Sequence, residues 1–225
     1  YLMSSMDRWF IQYYHGSEVL GIYAVGAKFA MLVAIIVETF RQAWWPIAMD
    51  SIHSIDGPET LRMISRLYIG LGVPAIIILA LLSEYLVTLF TPAIYYSAWP
   101  IVSILAWQSF FYGFYMIGSI GIWKSEKTFY SMFLMGGATA INLILNLLLV
   151  PKYAAIGASV STVISFLFWI ISAVIVSEYL WRIRHQFYLI IFQVLIGMII
   201  VSIIVLDLLP RNSFFEISAI TLSII

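Results

Sequence analysis

The chain has 225 residues, of which 63% are hydrophobic and only 10% charged, with a formal net charge of +0 and no cysteine. A soluble domain carries about 25% charged residues, so the composition excludes one; the missing cysteines exclude disulfides, iron–sulfur clusters and cysteine-ligated zinc, and the absence of a basic excess leaves nothing to favour nucleic acid. The mean hydropathy is +1.03, and the apolar runs are long rather than short and alternating, so the chain reads as an all-α, polytopic bundle of transmembrane helices.

A spanning helix needs roughly 20 mostly apolar residues. Residues 1–13 read as the last part of a helix, closed by the polar turn His15-Gly16-Ser17-Glu18. Complete spans are expected over about 19–46, 67–90, 98–123, 130–150, 156–180 and 187–209, with a last apolar run over about 214–225. The breaks between them are chemical. Asp56-Gly57-Pro58-Glu59 carries cap and first-turn residues. Pro92 and Pro100 flank a turn at Tyr95-Tyr96, Lys124-Ser125-Glu126-Lys127 is a short charged loop, and Pro151-Lys152-Tyr153 ends a helix. Between Asp50 and Arg66, Leu61, Ile64, Leu67 and Tyr68 fall at helical spacing, which reads either as a short interfacial helix or as a solvated loop entering the next span. Gly70, Gly72 and Pro74 suggest a bend. Both chain ends, Tyr1 and the apolar run to Ile225, read as cut from a longer protein.

Alternate loops differ in basic residues. Arg62, Arg66, Lys124, Lys127, Arg182 and Arg184 fall on one side, Lys152 and Arg211 on the other, with Arg8 near the latter. Positive residues mark the cytoplasmic side, so turn 14–18 is expected outside.

The charges inside the spans carry the functional question. Lys28 lies about nine residues into its helix, or about 13 Å at 1.5 Å rise, near half of an approximately 30 Å core. A lysine there costs roughly 2.5–3.5 kcal/mol on insertion scales and usually faces a bundle interior or a watery cavity; snorkelling is the alternative. At about 100° per residue, Gly21, Ala24, Lys28, Ile35, Thr39 and Gln42 share one stripe. Glu38 lies beside it, and Arg41 is close enough to pair with Glu38. The stripe reads as a wall of a transport pathway or as helix–helix packing with an internal ion pair. Asp7 and Arg8 point about 100° apart and need not pair with each other. Gly157, Ser161 and Ser165 read as a close small-residue contact, and Asn142 and Asn146, also four apart, as interhelical hydrogen-bonding groups. Gln108 and Tyr112 are weaker candidates for a cavity wall.

"DRWFIQYYHGSEVLGIYAVGAKFA", followed by "FRQAWWPIAMD", resembles the start of the second half of polysaccharide flippases, the O-antigen and exopolysaccharide repeat-unit exporters of the multidrug/oligosaccharidyl-lipid/polysaccharide superfamily. "NLLLVPKYAAIGASVSTVISF" is similar to a helical hairpin of the same family. The resemblance covers most of residues 5–180. It implies the second lobe of a two-lobe bundle of 12 to 14 helices in the bacterial cytoplasmic membrane, over residues 1–180, with an added C-terminal hairpin over 181–225. It also implies alternating access through a central cavity lined by the first two helices of each lobe. The N-terminal lobe of the same protein is then a missing partner, together with membrane lipids. The expected substrate is a polyprenyl-pyrophosphate-linked oligosaccharide. Arg8, Lys28, Arg41 and Gln42 are its expected cavity contacts, and Asp7 and Glu38 the groups that pair those cations or carry a coupling proton. No metal and no cofactor beyond H+ or Na+ coupling is implied, and no enzymatic activity.

The rivals are a multidrug or cation antiporter and a peptidoglycan-precursor flippase of the same superfamily. A membrane glycan polymerase or ligase usually carries a large outer loop with catalytic Arg or His. Here the outer loops are short, and His15, His53 and His185 fall on separate loops. No glycine-rich phosphate loop is present, so ATP is not hydrolysed by this chain.

Overall fold

The computed structural model describes residues 2–183 and 187–206. Its regular structure is helical, with no strand among those residues: α1 (Leu2–His53), α2 (Gly57–Phe90), α3 (Trp99–Gly118), the short α4 (Ile120–Lys124), α5 (Phe129–Leu180) and α6 (Phe187–Val205), with a 3-10 segment at Ala93–Ala98. By length and composition, four helical stretches among the described residues can cross a membrane: Ser5–His53, Gly57–Phe90, Ala93–Lys124 and Phe129–Leu180.

α1 and α5 have 52 residues each, about 78 Å if straight, against a hydrocarbon core of about 30 Å. Neither is straight. The α1 backbone leaves helical geometry at Gly16 (φ 79°, ψ −174°), and the Tyr23 hydroxyl reaches Asp7, 16 residues earlier, at 2.9 Å. An unbroken helix holds such residues about 24 Å apart. α5 breaks at Ala154 (φ 49°, ψ −129°), and Asn142 Nδ2 donates to Thr162 Oγ1, 20 residues on, at 3.3 Å. Each is therefore a hairpin of antiparallel arms: 2–15 and 17–53 in α1, 129–153 and 155–180 in α5. The turns expected at 14–18 and after Pro151 are these two reversals. Gly16 takes its positive φ without a side-chain penalty. Gly157 lets the α5 arms meet, because a Cβ there would stand 2.5 Å from the Leu149 carbonyl oxygen.

The reversals share one end of the bundle. His15 Nε2 lies 2.8 Å from the Val150 carbonyl oxygen, and Gly21 lies against the Tyr95 ring. At the other end Trp45 meets Trp123 edge to face at 5.4 Å, the Lys124 ammonium sits 3.6 Å over the Trp181 ring, and the Gly121 N–H donates to Ser177 Oγ at 2.9 Å. Chain order then places Arg62, Arg66, Lys124, Lys127 and Arg182 towards this second end, and Lys152 at the first. Arg184, His185 and Arg211 lie outside the described residues.

α3 is the central strut, packed against α1, α2 and α5. Its Trp107, Phe110 and Phe114 join Ile69 and Ile76 of α2, Ile170 of α5 and Val194 of α6 in the main core. In a bilayer such contacts are held by close packing rather than by expulsion of water.

One expectation changes. No separate interfacial helix forms over 50–66: α1 runs to His53, and α2 starts at Gly57 and continues to Phe90. Leu61 is fully buried, and Ile64 and Tyr68 pack on the core, while Leu67 is exposed. That stripe therefore meets protein instead of headgroups, which is why the helix is not laid flat on the surface. With 34 residues, α2 measures about 51 Å and outruns the hydrocarbon core by about 20 Å. The first helix of the expected 181–225 hairpin is α6, seated on α2, with Gly197 against Val73. Its expected return run, 214–225, lies outside the described residues.

Candidate functional site

The sequence-predicted polar residues separate into two groups. The first is a closed cluster around Asp7. Asp7 is fully buried on the first arm of α1. Asn146 Nδ2 donates to its Oδ1 at 2.8 Å. Tyr23, on the second arm of α1, donates to its Oδ2 at 2.9 Å. The Thr162 hydroxyl, on the second arm of α5, donates to the same oxygen at 2.5 Å. Asn146 Nδ2 also donates to Asn142 Oδ1 at 3.1 Å. Four helical arms thus converge on one carboxylate through neutral donors. A carboxylate accepts and never donates, and two hydroxyls and an amide suit it without a positive charge.

Glu38 and Arg41 form an ion pair, whereas Asp7 has no basic group within 4.0 Å among the described residues. Arg8, its chain neighbour, is exposed. One buried oxygen in the cluster, Asn146 Oδ1, has no hydrogen-bond partner. The cluster therefore has one acceptor to spare. Buried polar groups are nearly always satisfied, so a spare oxygen beside a carboxylate is an arrangement that suits a small cation or a proton shared between the two.

Sequence reasoning found parts of this cluster. Asn142 and Asn146 were legible as hydrogen-bonding groups from their spacing of four. Tyr23 lay unnoticed in the Gly-Ile-Tyr stretch, and Thr162 between the small residues of α5. No spacing rule links positions 7, 23, 146 and 162; only the two reversals bring them together.

The second group lies on the second arm of α1, on the side turned away from its own bundle. Lys28, Ile35, Thr39 and Gln42 are exposed, and Gly21 and Ala24 are partly so. The opposite side, with Tyr23, Ala30, Val37, Trp44 and Ala48, is buried. Glu38 accepts two hydrogen bonds from Arg41, through Nε at 2.8 Å and through Nη2. Around the helix, at 100° per residue, Arg41, Glu38, Gln42 and Lys28 form one continuous polar arc. Along it they are spread out: Lys28 and Arg41 are 13 residues, or about 20 Å, apart. Lys28 is five residues beyond Tyr23 and points about 140° away from the Asp7 cluster. The chain does not bring Arg8, Lys28 and Arg41 to one point.

α3 packs beside this arm: a Cβ at Gly113 would stand 2.8 Å from Val37, and Trp44 Nε1 donates to the Met116 carbonyl oxygen at 3.5 Å. Tyr112, next to Gly113, is exposed, and Gln108 lies one turn before it, half-buried. On the other flank of the α1 arm, an apolar cleft of about 530 Å³ separates it from α2, between Ile36, Phe40, Leu71 and Ala75.

Comparison with models of protein families, with characterised proteins and with solved structures finds no match for this chain.

Proposed function

We propose that this chain is the second lobe of a membrane transporter that flips polyprenyl-pyrophosphate-linked oligosaccharides by alternating access, as the resemblance to polysaccharide flippases implies. The observation that carries the reading is Lys28. It stands exposed on a long apolar arm, twelve residues from the Gly16 reversal, and faces away from its own bundle; the apolar span read from the sequence puts it near mid-core. A lone lysine facing lipid at that depth is costly, whereas one facing a watery cavity closed by a second lobe is not. The polar arc from Lys28 to Arg41 is then the wall that holds the head group of the lipid-linked oligosaccharide, with the anionic pyrophosphate attracted at Lys28. Arg8 and Gln42 are exposed on the same pair of arms and supply further contacts.

The Asp7 cluster serves a different step. Because it ties both arms of α1 to both arms of α5, the binding or loss of H+ or Na+ at Asp7 changes how firmly those arms are held together. That is the requirement for an ion to couple to alternating access. The protein is a transporter in this reading, working in the bacterial cytoplasmic membrane together with the N-terminal lobe of the same protein. A cation-driven drug antiporter makes the same use of Asp7, but it has no need of a lysine aimed at a pyrophosphate.

The test uses the source bacterium with the complete gene deleted. Lipid-linked sugars are located with an impermeant sugar-oxidising probe on spheroplasts. Accumulation of intact units shielded from the probe is the expected result. Units that reach the outer face, with normal surface polymer, would overturn the reading and move the antiporter to first place.

A further inference from the structure

Tyr112 is 40% exposed on a helix whose neighbouring aromatic residues are buried. It belongs to a stacked aromatic group. The Tyr115 and Trp169 rings lie 4.0 Å apart at 23°, and the Tyr112 and Trp169 rings 6.4 Å apart at 29°. Phe166 meets Trp169 edge to face at 5.7 Å. The group is locked from behind, because Trp169 packs on Ala138 and Leu134 of the first α5 arm and the Tyr115 hydroxyl donates to Ser131 at 3.1 Å. Tyr112 is therefore the open face of a rigid aromatic stack, on the stretch of α3 that meets the Glu38–Arg41 stretch of α1: a Cβ at Gly113 would stand 2.8 Å from Val37, and the Trp44 indole donates to the Met116 carbonyl at 3.5 Å. The stack also holds a buried donor with no acceptor among the described residues, the indole Nε1 of Trp169.

These features match one ligand chemistry. A pyranose ring has an apolar C–H face and a rim of hydroxyls that both donate and accept. An exposed aromatic face held rigid by its neighbours takes the C–H face at little entropic cost. A carboxylate and a guanidinium side by side take the rim, the one accepting from hydroxyls and the other donating to them. A flat aromatic with a lone cation beside it suits many anions, but the presence of both Glu38 and Arg41 suits a neutral polyol better than an anion. A hydrocarbon chain has no use for the ion pair at all.

We propose that Tyr112 is a sugar-stacking residue, and that Glu38 and Arg41 hold the hydroxyls of that same sugar while Lys28, about 20 Å away along the helix, meets the pyrophosphate. The proposal rests on the flippase reading above and deepens it: the saccharide has a docking place of its own, distinct from that of its charged anchor. Tyr112 is then a positioning residue for the saccharide.

The test is binding to the purified full-length protein in detergent. One ligand is the lipid-linked saccharide extracted from the deletion strain, and the other is sugar-free undecaprenyl pyrophosphate. Tyr112→Ala is expected to weaken binding of the glycosylated lipid by about 5- to 10-fold, the range of one aromatic contact, and to leave the sugar-free lipid unaffected. Tyr112→Phe keeps the ring and is expected to bind both as the parent does. Equal loss for both lipids would overturn the proposal, since a merely structural role for Tyr112 predicts that. So would no loss for either, and the flippase reading would stand in both cases. If the parent protein binds neither lipid, the flippase reading falls and the sugar platform with it.

Discussion

Asp7 and Asn146, 139 residues apart in the chain, are joined by a hydrogen bond of 2.8 Å in a buried site. With Tyr23 and Thr162 on the other carboxylate oxygen, this bond ties the hairpin that begins the described chain to the one that ends its larger part. In a bilayer, where expulsion of water does not press helices together, a polar knot of this kind fixes which arms are neighbours.

Asp7→Ala removes the acceptor of three hydrogen bonds and leaves two hydroxyls and an amide facing an apolar void. The expected loss is about 3–5 kcal/mol, the cost of leaving three buried neutral donors without their acceptor at roughly 1–3 kcal/mol each. Asp7→Asn keeps the volume, and the hydroxyls of Tyr23 and Thr162 can turn to accept from the new amide, so about 1–2 kcal/mol is expected. Thermal unfolding of the detergent-solubilised full-length protein reads both. Equal melting of the Ala variant and the parent would show that the knot does not hold the bundle.

The two reversals predict opposite signs for two small substitutions. At Gly16 an added Cβ meets nothing within 4 Å, so Gly16→Ala pays only the backbone cost of a positive-φ extended conformation that is nearly glycine-only, about 1–3 kcal/mol. At Ala154 a non-glycine residue already sits at φ 49°. Ala154→Gly is expected to relieve about 1 kcal/mol of strain and raise the melting temperature. A lower melting temperature for Ala154→Gly would place the cause of the reversal elsewhere in the Pro151-Lys152-Tyr153 stretch.

Lys28 separates fold from function. Lys28→Leu removes a charge whose mid-membrane insertion costs roughly 2.5–3.5 kcal/mol, so protein level is expected to equal or exceed the parent's. Export of lipid-linked sugar is expected to be lost in Lys28→Leu and Lys28→Ala, and partly kept in Lys28→Arg. Complementation of the deletion strain, with protein level measured alongside, decides it. Normal export by Lys28→Ala at normal level would remove this lysine from the mechanism.

The basic residues gathered at the end that holds Trp45, Trp123 and Trp181 predict a sidedness. Ser17→Cys, at the first reversal, should be labelled in intact cells by an impermeant maleimide. Glu126→Cys, at the opposite end, should be labelled only after the membrane is opened. The reverse pattern would invert the orientation and place the Arg41 end of the polar arc outside.

Much of the fold was legible in the residues. The spans follow from apolar runs that only a membrane interior accommodates, and the breaks from Gly16, the Gly57-Pro58 pair and Pro151. Over residues 50–66 the patterning left two readings open, a short interfacial helix and a solvated loop, and the structure has instead the start of the long helix α2 from Gly57. An amphipathic stripe has the same spacing whether it meets headgroups or another helix, and Leu61 turned out to meet the protein core.

The site divides along the same line. Composition and helical periodicity determined that the protein is a bundle of helices long and apolar enough to cross a membrane, that Lys28 falls inside one of the apolar runs, and that Lys28, Thr39 and Gln42 share a face. These are properties of one helix, set by a rise of 1.5 Å and a turn of 100° per residue. Only the tertiary structure decided that Asp7 turns inward to Tyr23, Asn146 and Thr162 while Arg8 turns out, and that Tyr112 stands open where α3 meets the Val37–Trp44 stretch of α1. Those relationships join residues as much as 155 positions apart. They exist because two glycine- and proline-marked reversals fold the arms back on one another, and no local pattern encodes which arms then meet.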